Sequence, residues 1–250
     1  MEVKVDQQVQ QAYDQQYLQE TSEWRELGAR TKAQNIIDIT HGLTFRKVLE
    51  VGAGDGSILK FLHDRNFAEE LYALEISASG LEKIRDRQLT RLKEVFQFDG
   101  YKIPYEDNSF DLVILSHVLE HVEFERLLLR EIKRVSTYQV IEVPRDFRFG
   151  IDNKLSHFLN YGHINIYTPT SLKFLLKSEG FDIKQEICKT YDADLFKFMG
   201  RNSKVEFFKQ YLSYLFKKMA IHIPMKFFKE TYCSTITVLC FKKDKGVRIF

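Results

Sequence analysis

The stretch VLEVGAGDGS, residues 48–57, places Gly52, Gly54 and Gly56 at alternate positions directly after an apolar run and before a segment with helical spacing. A bare turn of that kind lets a nucleoside-bearing ligand approach the backbone closely. It is not a dinucleotide fingerprint, because the third small residue is due at position 57, where Ser57 stands, and Gly56 comes one place early. It is not a phosphate loop either, since no Gly-Lys-Ser/Thr follows. Glu50 lies inside the apolar run, where a carboxylate is costly unless it faces a cation or accepts amide hydrogen bonds. Glu75 closes the next apolar run, LYALEI, where an acid can accept both hydroxyls of a ribose or can be a solvated strand end. Asp99, before Gly100, suits the exocyclic amine of adenine, which offers only donors, or is a turn-forming Asp.

The histidines add acid–base chemistry. His117 and His121 lie in SHVLEH and stand one helical turn apart if that piece is helical; His163 lies in YGHINIY, and His157 precedes it. Imidazole titrates near neutral pH, so each is a candidate to take a proton from an acceptor, His163 ahead of His157, with capping or packing as the alternative. His117, Glu120 and His121 have a spacing that could hold a metal, but H-x-x-x-H lacks the Glu that zinc hydrolases carry beside the first His, so no metal is expected.

These residues need a scaffold. A chain of 250 residues with a net charge of +2, 44% hydrophobic and 29% charged, suits one large α/β domain and does not mark a nucleic-acid binder. Cys188, Cys233 and Cys240 show neither C-x-x-C spacing nor a disulfide framework. The polar first residues and the lack of any apolar run of about 18 residues predict a cytoplasmic protein without a membrane span, with peripheral lipid contact left open.

Residues 5–41 carry helical signals, with Tyr17, Trp24, Leu27, Ile36 and Ile37 as apolar contacts; Trp24 could close over a cofactor or simply pack. From Lys47 short runs rich in Val, Ile and Leu alternate with amphipathic segments, the pattern of a parallel sheet built from βαβ units. Strands are predicted near 47–51, 70–75, 94–98, 111–116, 137–143, 182–188 and 233–242, and helices near 57–66, 79–90, 122–134 and 168–179. In the last helix Thr168 or Thr170 is the N-cap, Leu172, Leu175 and Leu176 form the stripe, and Gly180 is the stop. Residues 193–230 read as a basic helical insertion within a domain spanning 45–250, behind a helical cap at 1–44. Within the insertion, Val205, Phe208, Leu212, Leu215, Phe216 and Met219 make one stripe, and Phe207, Tyr211 and Tyr214 a second. The stripes predict a helix packed on the sheet, or a lid whose basic edge meets an anionic group or lipid.

Taken together, VLEVGAGDGS, the acid in LEIS, FDGYKIPYEDNSFDLVILSHVLEH and GHINIYTPTSLKFLLKSEGF resemble the class I S-adenosylmethionine-dependent methyltransferases of small-molecule type, over about residues 45–190. The resemblance implies a Rossmann-like α/β fold: a seven-stranded, mostly parallel sheet with an antiparallel last strand and the cofactor across the carboxyl ends of the first strands. It implies S-adenosyl-L-methionine as cofactor and S-adenosyl-L-homocysteine as product. Glu50, Gly52, Gly54 and Gly56 would surround the methionine and adenosyl parts; Glu75, followed by Ile76, would take the ribose; Asp99 and Gly100 would meet the adenine; Ser116 and His117 would lie beside the methyl. His163, His117 and His121 are the candidate proton acceptors. A small-molecule acceptor is expected, oxygen before nitrogen. Nucleic acid is disfavoured, since the N-P-P-Y and Pro-Cys motifs of DNA-modifying relatives are absent; a protein substrate and a non-catalytic cofactor-binding module are the remaining alternatives.

Overall fold

The computed structural model describes residues 3–18, 22–147, 151–160 and 162–242. Two helices lead, α1 (Gln7–Leu18) and α2 (Ser22–Ile39), followed by β1 (Phe45–Val51), α3 (Ser57–Asp64), β2 (Ala68–Glu75), α4 (Ala78–Asp86), β3 (Leu92–Gln97) and β4 (Phe110–Ser116). After a short 3-10 turn, Leu119–His121, come α5 (Glu125–Val135), β5 (Ser136–Pro144), α6 (Leu155–Asn160), α7 (Pro169–Ser178) and β6 (Phe181–Lys189). Three helices, α8 (Ala193–Met199), α9 (Lys204–Ala220) and α10 (Lys226–Tyr232), precede β7 (Thr235–Lys242).

The strands form one sheet of seven in the order β3-β2-β1-β4-β5-β7-β6. β7 runs antiparallel to both β5 and β6, and the other pairings are parallel. The chain reverses its winding between β1 and β4, and the carboxyl ends on either side of that switch open the crevice where such sheets bind ligands. Fully buried Val, Leu and Ile fill β1 and β4, as a strand covered on both faces requires. On one face α2, α3 and α4 bury Ala33, Ile36, Leu59, Leu62 and Ile84 against Val48, Leu71 and Leu112. On the other, α5 and α7 bury Leu128, Leu129, Ile132, Leu172 and Leu176 against Leu49, Leu115 and Val143.

Local signals explain several element ends. The Thr168 hydroxyl accepts from the Ser171 amide at 3.0 Å while Ser171 accepts from the Thr168 amide at 2.8 Å, a reciprocal cap at the start of α7. Gly180, at φ +77°, supplies the left-handed residue that ends it. The helix predicted from 122 begins at Glu125, because His117 takes a left-handed backbone at φ +57° and the chain after it makes a 3-10 turn first.

The expectation that α9 packs its apolar stripe on the sheet is wrong. Ala220 is its one buried residue among those described, while Val205, Phe208, Leu212 and Met219 are exposed. The helix instead leans on α8, through Phe196 and Tyr214, and on α10, through Phe216 and Tyr232.

Glu179, at the end of α7, ties it to α5: Arg126 Nη1 donates to its carboxylate at 2.6 Å and Arg130 Nε at 2.7 Å. Burial alone would raise this carboxyl, but the hydrogen bonds from Arg130 and Arg126 outweigh it and hold the pKa below its ordinary value. A depressed folded pKa gives stability that is present above the unfolded pKa and is lost as pH falls through the folded one. Glu179→Gln is therefore expected to cost about 1–2 kcal/mol at neutral pH, a figure reduced for the solvent around both arginines. Urea unfolding across pH should show the gap from wild type closing below about pH 4.

Candidate functional site

Each amide of the glycine loop but that of Asp55 has a partner inside the protein. Gly52 N and Ala53 N donate to the Leu74 carbonyl at 2.8 and 3.1 Å, Gly56 N to Ala53 O at 2.9 Å, and Ser57 N to Asp55 Oδ1 at 3.0 Å. Gly54 N donates to Glu75 Oε2 at 2.8 Å, and Glu75 Oε1 accepts from Ser77 N at 3.0 Å. Glu75 is thus buried and engaged at both oxygens, each with a lone pair left to accept a hydroxyl. Burial still leaves its pKa raised. Arg87 clamps the loop from α4, donating to Asp55 O at 2.6 Å and Ser57 Oγ at 2.8 Å. With its amides largely spent, the loop is a poor phosphate cradle and a good bed for a ligand without one.

α1 lies across this loop. Val5 N donates to Asp99 O at 2.8 Å, and Gln10 Nε2 and Gln97 Nε2 both donate to Ile76 O at 2.8 Å. Asp14 Oδ1 accepts from Ala78 N at 2.7 Å at the start of α4. The Tyr17 hydroxyl comes within 2.9 Å of where a Cβ on Gly54 would stand, and Val5 within 3.1 Å of the same point on Gly100. Tyr13 meets His121 edge-on at 5.9 Å between ring centroids. Burial pushes the Tyr13 and Tyr17 phenols up, with Glu120 and Glu75 respectively adding to it. The residues closing the cleft are these tyrosines and not Trp24, which is exposed beside Arg25. Asp99 Oδ1 accepts from Tyr101 N and Lys102 N at 2.8 and 2.7 Å, so one of its oxygens makes the turn that the sequence allows as its alternative role.

Beyond the loop, the ends of β1, β4 and β5 and the turn after β4 bring together a cluster of buried acids. Glu50, Glu120 and Glu142 are each at most 1% exposed, and Asp146 is buried after β5. Glu50 Oε2, Glu142 Oε1, Ser116 Oγ and both carboxylate oxygens of Glu120 are buried without a hydrogen-bond partner. Burial pushes Glu50 well above the carboxylate range and Glu120 and Glu142 to about 7, Lys32 opposing the rise at all three and the Thr237 hydroxyl, 3.0 Å from Glu142 Oε2, opposing it there. Lys32, half-buried on α2, has its own pKa lowered by desolvation against the pull of Glu142, Glu120 and Glu50. Tyr191, after β6, has its phenol raised by burial and by Glu142, Glu120 and Asp146.

The histidines separate by surroundings. His117 Nδ1 lies 3.4 Å from Glu120 Oε1 and Nε2 3.4 Å from Glu142 Oε1, ion-pair distances. Desolvation, with Lys32 nearby, nevertheless holds its pKa well below the usual value, against the protonated form that ion pairs at these contacts would need. His121 falls to about 4 through burial and the neighbouring His163, and its Nδ1 lies 3.0 Å from the Gly162 carbonyl. His163 is raised: burial lowers it, but the Asp146 carboxylate, 2.6 Å from its Nδ1, and Glu120 more than compensate. The His121 and His163 rings meet edge to face with centroids 4.8 Å apart. His157 lies in α6.

Of the residues expected from sequence, Glu50, Gly52, Gly54, Gly56, Glu75 and Ile76 stand around the loop and Asp99 and Gly100 at the next turn, while Ser116, His117, His121 and His163 line the acidic end. Sequence reasoning missed Tyr13, Lys32, Glu142, Asp146 and Tyr191. The signal for Glu142 was present in VIEVP, a second acid inside an apolar strand like Glu50. No helix among the described residues is long and apolar enough to cross a membrane.

Residues 49–137 match the methyltransferase domain family. The chain is similar to a malonyl-[acyl-carrier protein] O-methyltransferase of Halorhodospira halophila, 33% identical over 36% of this chain and 31% of that protein, so the match spans about a third of the relative. It is similar to the demethylmenaquinone methyltransferase of Thermotoga maritima, 23% identical over 61% of this chain and 77% of that protein. Among solved structures its fold resembles a Haemonchus contortus phosphoethanolamine N-methyltransferase 2 in complex with phosphomonomethylethanolamine and S-adenosylhomocysteine. That likeness has a TM-score of 0.63 at 13% identity, over 86% of this chain and 53% of the other.

Gly52 shows how tightly the loop is specified: φ is +71° and a Cβ would lie 2.6 Å from Val118 Cγ2. Gly52→Ala is expected to cost about 2–4 kcal/mol, of which about 1–2 is left-handed backbone strain and the rest overlap. Adding Val118→Ala should remove the overlap, though it opens a small gap of its own, and leave the backbone share, as thermal melts of the single and double variants can read.

Proposed function

We propose that this chain, whose matched segment and fold are those of the class I S-adenosylmethionine-dependent methyltransferases, moves a methyl group to a small molecule, with a hydroxyl oxygen as acceptor and nitrogen as the second choice. The observation that carries the reading is a glycine loop with its amides spent, set beside buried carboxylates with unsatisfied oxygens. Such a site repels phosphate and suits an adenosyl ligand with a positive sulfur. When bound, the cofactor supplies a methyl on a sulfonium, ready for in-line displacement.

The residues present fit that group. Gly54 lets a polar group, here the Tyr17 hydroxyl, rest on the bare backbone of the loop, 2.9 Å from where a Cβ would stand, and Glu50 Oε2 is a buried acceptor in want of a donor. Glu75 would accept the ribose hydroxyls and Asp99, through its second oxygen, the adenine amine. Lys32 supplies a positive charge for the methionine carboxylate. At the other end His163, oriented by Asp146, with His121 and Glu120, forms the face that handles the acceptor's proton. Residues 1–44 act as a cap and 193–230 as an insertion in the domain of 45–250. Three free, buried cysteines support a cytoplasmic setting. The acceptors named for the relatives belong to those proteins; a small molecule is favoured here because the acids beside the loop are buried and the net charge of +2 offers nucleic acid little.

The exposed face of α9 and α10 narrows where the acceptor is met. Phe208, Leu212, Phe216, Met219, Met225 and Phe227 are exposed together, and residues 201–232 carry seven Lys and Arg against two acids. An apolar stripe edged by lysines is complementary to an anionic lipid surface, so the acceptor is one that resides at or near such a surface.

Three measurements test these readings. Incubating a cell extract with the protein and heavy-methyl cofactor should yield a species that gains one methyl by mass spectrometry, while Glu75→Gln lowers S-adenosylhomocysteine affinity about tenfold or more in calorimetry. No binding by the wild type would end the proposal. For the surface, co-sedimentation with phosphatidylglycerol vesicles should weaken with salt and disappear in Phe208→Glu/Met219→Glu with cofactor binding intact; equal recovery with neutral vesicles would count against it.

A further inference from the structure

Glu120, His121 and His163 come together in a way that methyl transfer alone does not explain. One ligand-capable atom from each lies within 4.8 Å of the other two, and Glu120 Oε1 is 3.8 Å from His121 Nε2. The Glu120 carboxylate is 1% exposed and has no hydrogen-bond partner at either oxygen. Leaving a buried carboxylate so placed costs several kcal/mol unless a cation or a proton meets it.

The imidazoles are turned as ligands are. His121 directs Nδ1 to the Gly162 carbonyl at 3.0 Å, and His163 directs Nδ1 to Asp146 Oδ2 at 2.6 Å. With the Nδ1 hydrogens given to a carbonyl and a carboxylate, the Nε2 atoms carry the lone pairs. Metal-binding histidines are held in this way, their second nitrogen fixed by an outer acceptor. The two halves of the cluster are also locked together by backbone: Ile164 N and Asn165 N donate to the Glu120 carbonyl at 2.8 and 3.0 Å, and Asn165 Nδ2 donates to Leu119 O and Val122 O at 3.1 and 2.7 Å. These bonds hold residues 162–165 against the turn that carries Glu120 and His121.

We propose that Glu120, His121 and His163 bind a divalent first-row transition-metal ion, with Asp146 positioning His163. Two imidazoles and one carboxylate favour zinc, manganese or iron(II) over magnesium or calcium, and three protein ligands leave coordination positions open. His117, on the other side of Glu120, is not needed. This inference rests on the reading of that face as the acceptor end and revises the part its side chains play there: with an ion present, Glu120, His121 and His163 would serve as its ligands and not as proton acceptors, and the ion would supply a Lewis acid for the acceptor's hydroxyl.

The test uses the full chain, freed of metal by chelator and then given cobalt(II). The expected result is one equivalent bound with the intense visible bands of a nitrogen- and oxygen-ligated ion, bleached when zinc displaces it. Asp146→Asn should weaken zinc binding about 10- to 100-fold, and His163→Ala and Glu120→Gln at least as much. A cobalt spectrum matching the free aqua ion overturns the proposal even if the variants fail to fold, and so does zinc affinity unchanged in all three. S-adenosylhomocysteine binding, measured in parallel, separates the two readings: intact cofactor binding without metal binding rejects the metal alone, and metal binding without cofactor binding rejects the methyltransferase reading.

Discussion

Buried negative charge at the carboxyl ends of β1, β4 and β5 is the constraint on which the site is built. Glu50, Glu120, Glu142 and Asp146 lie within one desolvated region, and Lys32 is the amine whose charge opposes several of them. Taking a carboxylate out of water without a full set of partners costs several kcal/mol. The protein meets part of that cost by letting Glu120 and Glu142 titrate near neutrality, where a proton can stand in for a missing cation. The remainder is a standing affinity for positive charge. A ligand that brings it gains twice, by its own contacts and by relieving repulsion present before it arrives, and by linkage it stabilises the folded chain.

The rest of the molecule is arranged so that this frustration stays local. Two continuous apolar layers, one on each face of the sheet, supply the stability. The glycine loop is closed on itself by Leu74, Glu75 and Arg87, so its shape does not wait for a ligand. α1, in contrast, has no fully buried residue, its two half-buried tyrosines tucking only their phenol ends inward, and it touches the site through those and a handful of hydrogen bonds. The Tyr17 hydroxyl sits against Gly54, so an adenosyl group bound as proposed would displace that side chain or this helix. Its sparse attachment makes that shift inexpensive compared with moving any strand.

Much of the fold was readable from residue order because both signals involved are local. Alternation of Val-, Ile- and Leu-rich runs with amphipathic segments marks βαβ units, and the observed strand positions follow it closely. Glu75 and the glycines were readable because a bare turn after a strand has few other uses. Lys32, Tyr13 and Tyr191 were not, because each lies in a segment where polar residues are common and only the tertiary fold turns them inward. Asp146 follows the same logic, since its meaning depends on a histidine seventeen positions away in sequence. α9 failed differently: a helical stripe of Phe, Leu and Met reads as a core face, and nothing local distinguishes a face that meets the sheet from one that meets solvent.

The geometry of SHVLEH departs from what histidine spacing alone suggests. On a regular helix Glu120 and His121 would both lie one turn on from His117, and the sequence disfavours a metal there only because no Glu stands beside the first His. The left-handed backbone at His117 breaks that register, an arrangement costing about 1–2 kcal/mol in a non-glycine residue. The 3-10 turn that follows sends Glu120 inward and lets its carbonyl catch the amides of Ile164 and Asn165. Those bonds deliver His163 to His121, with Asp146 behind it. Strain at one residue is thus the means by which two distant segments converge, and it is tolerated where function needs an irregular backbone.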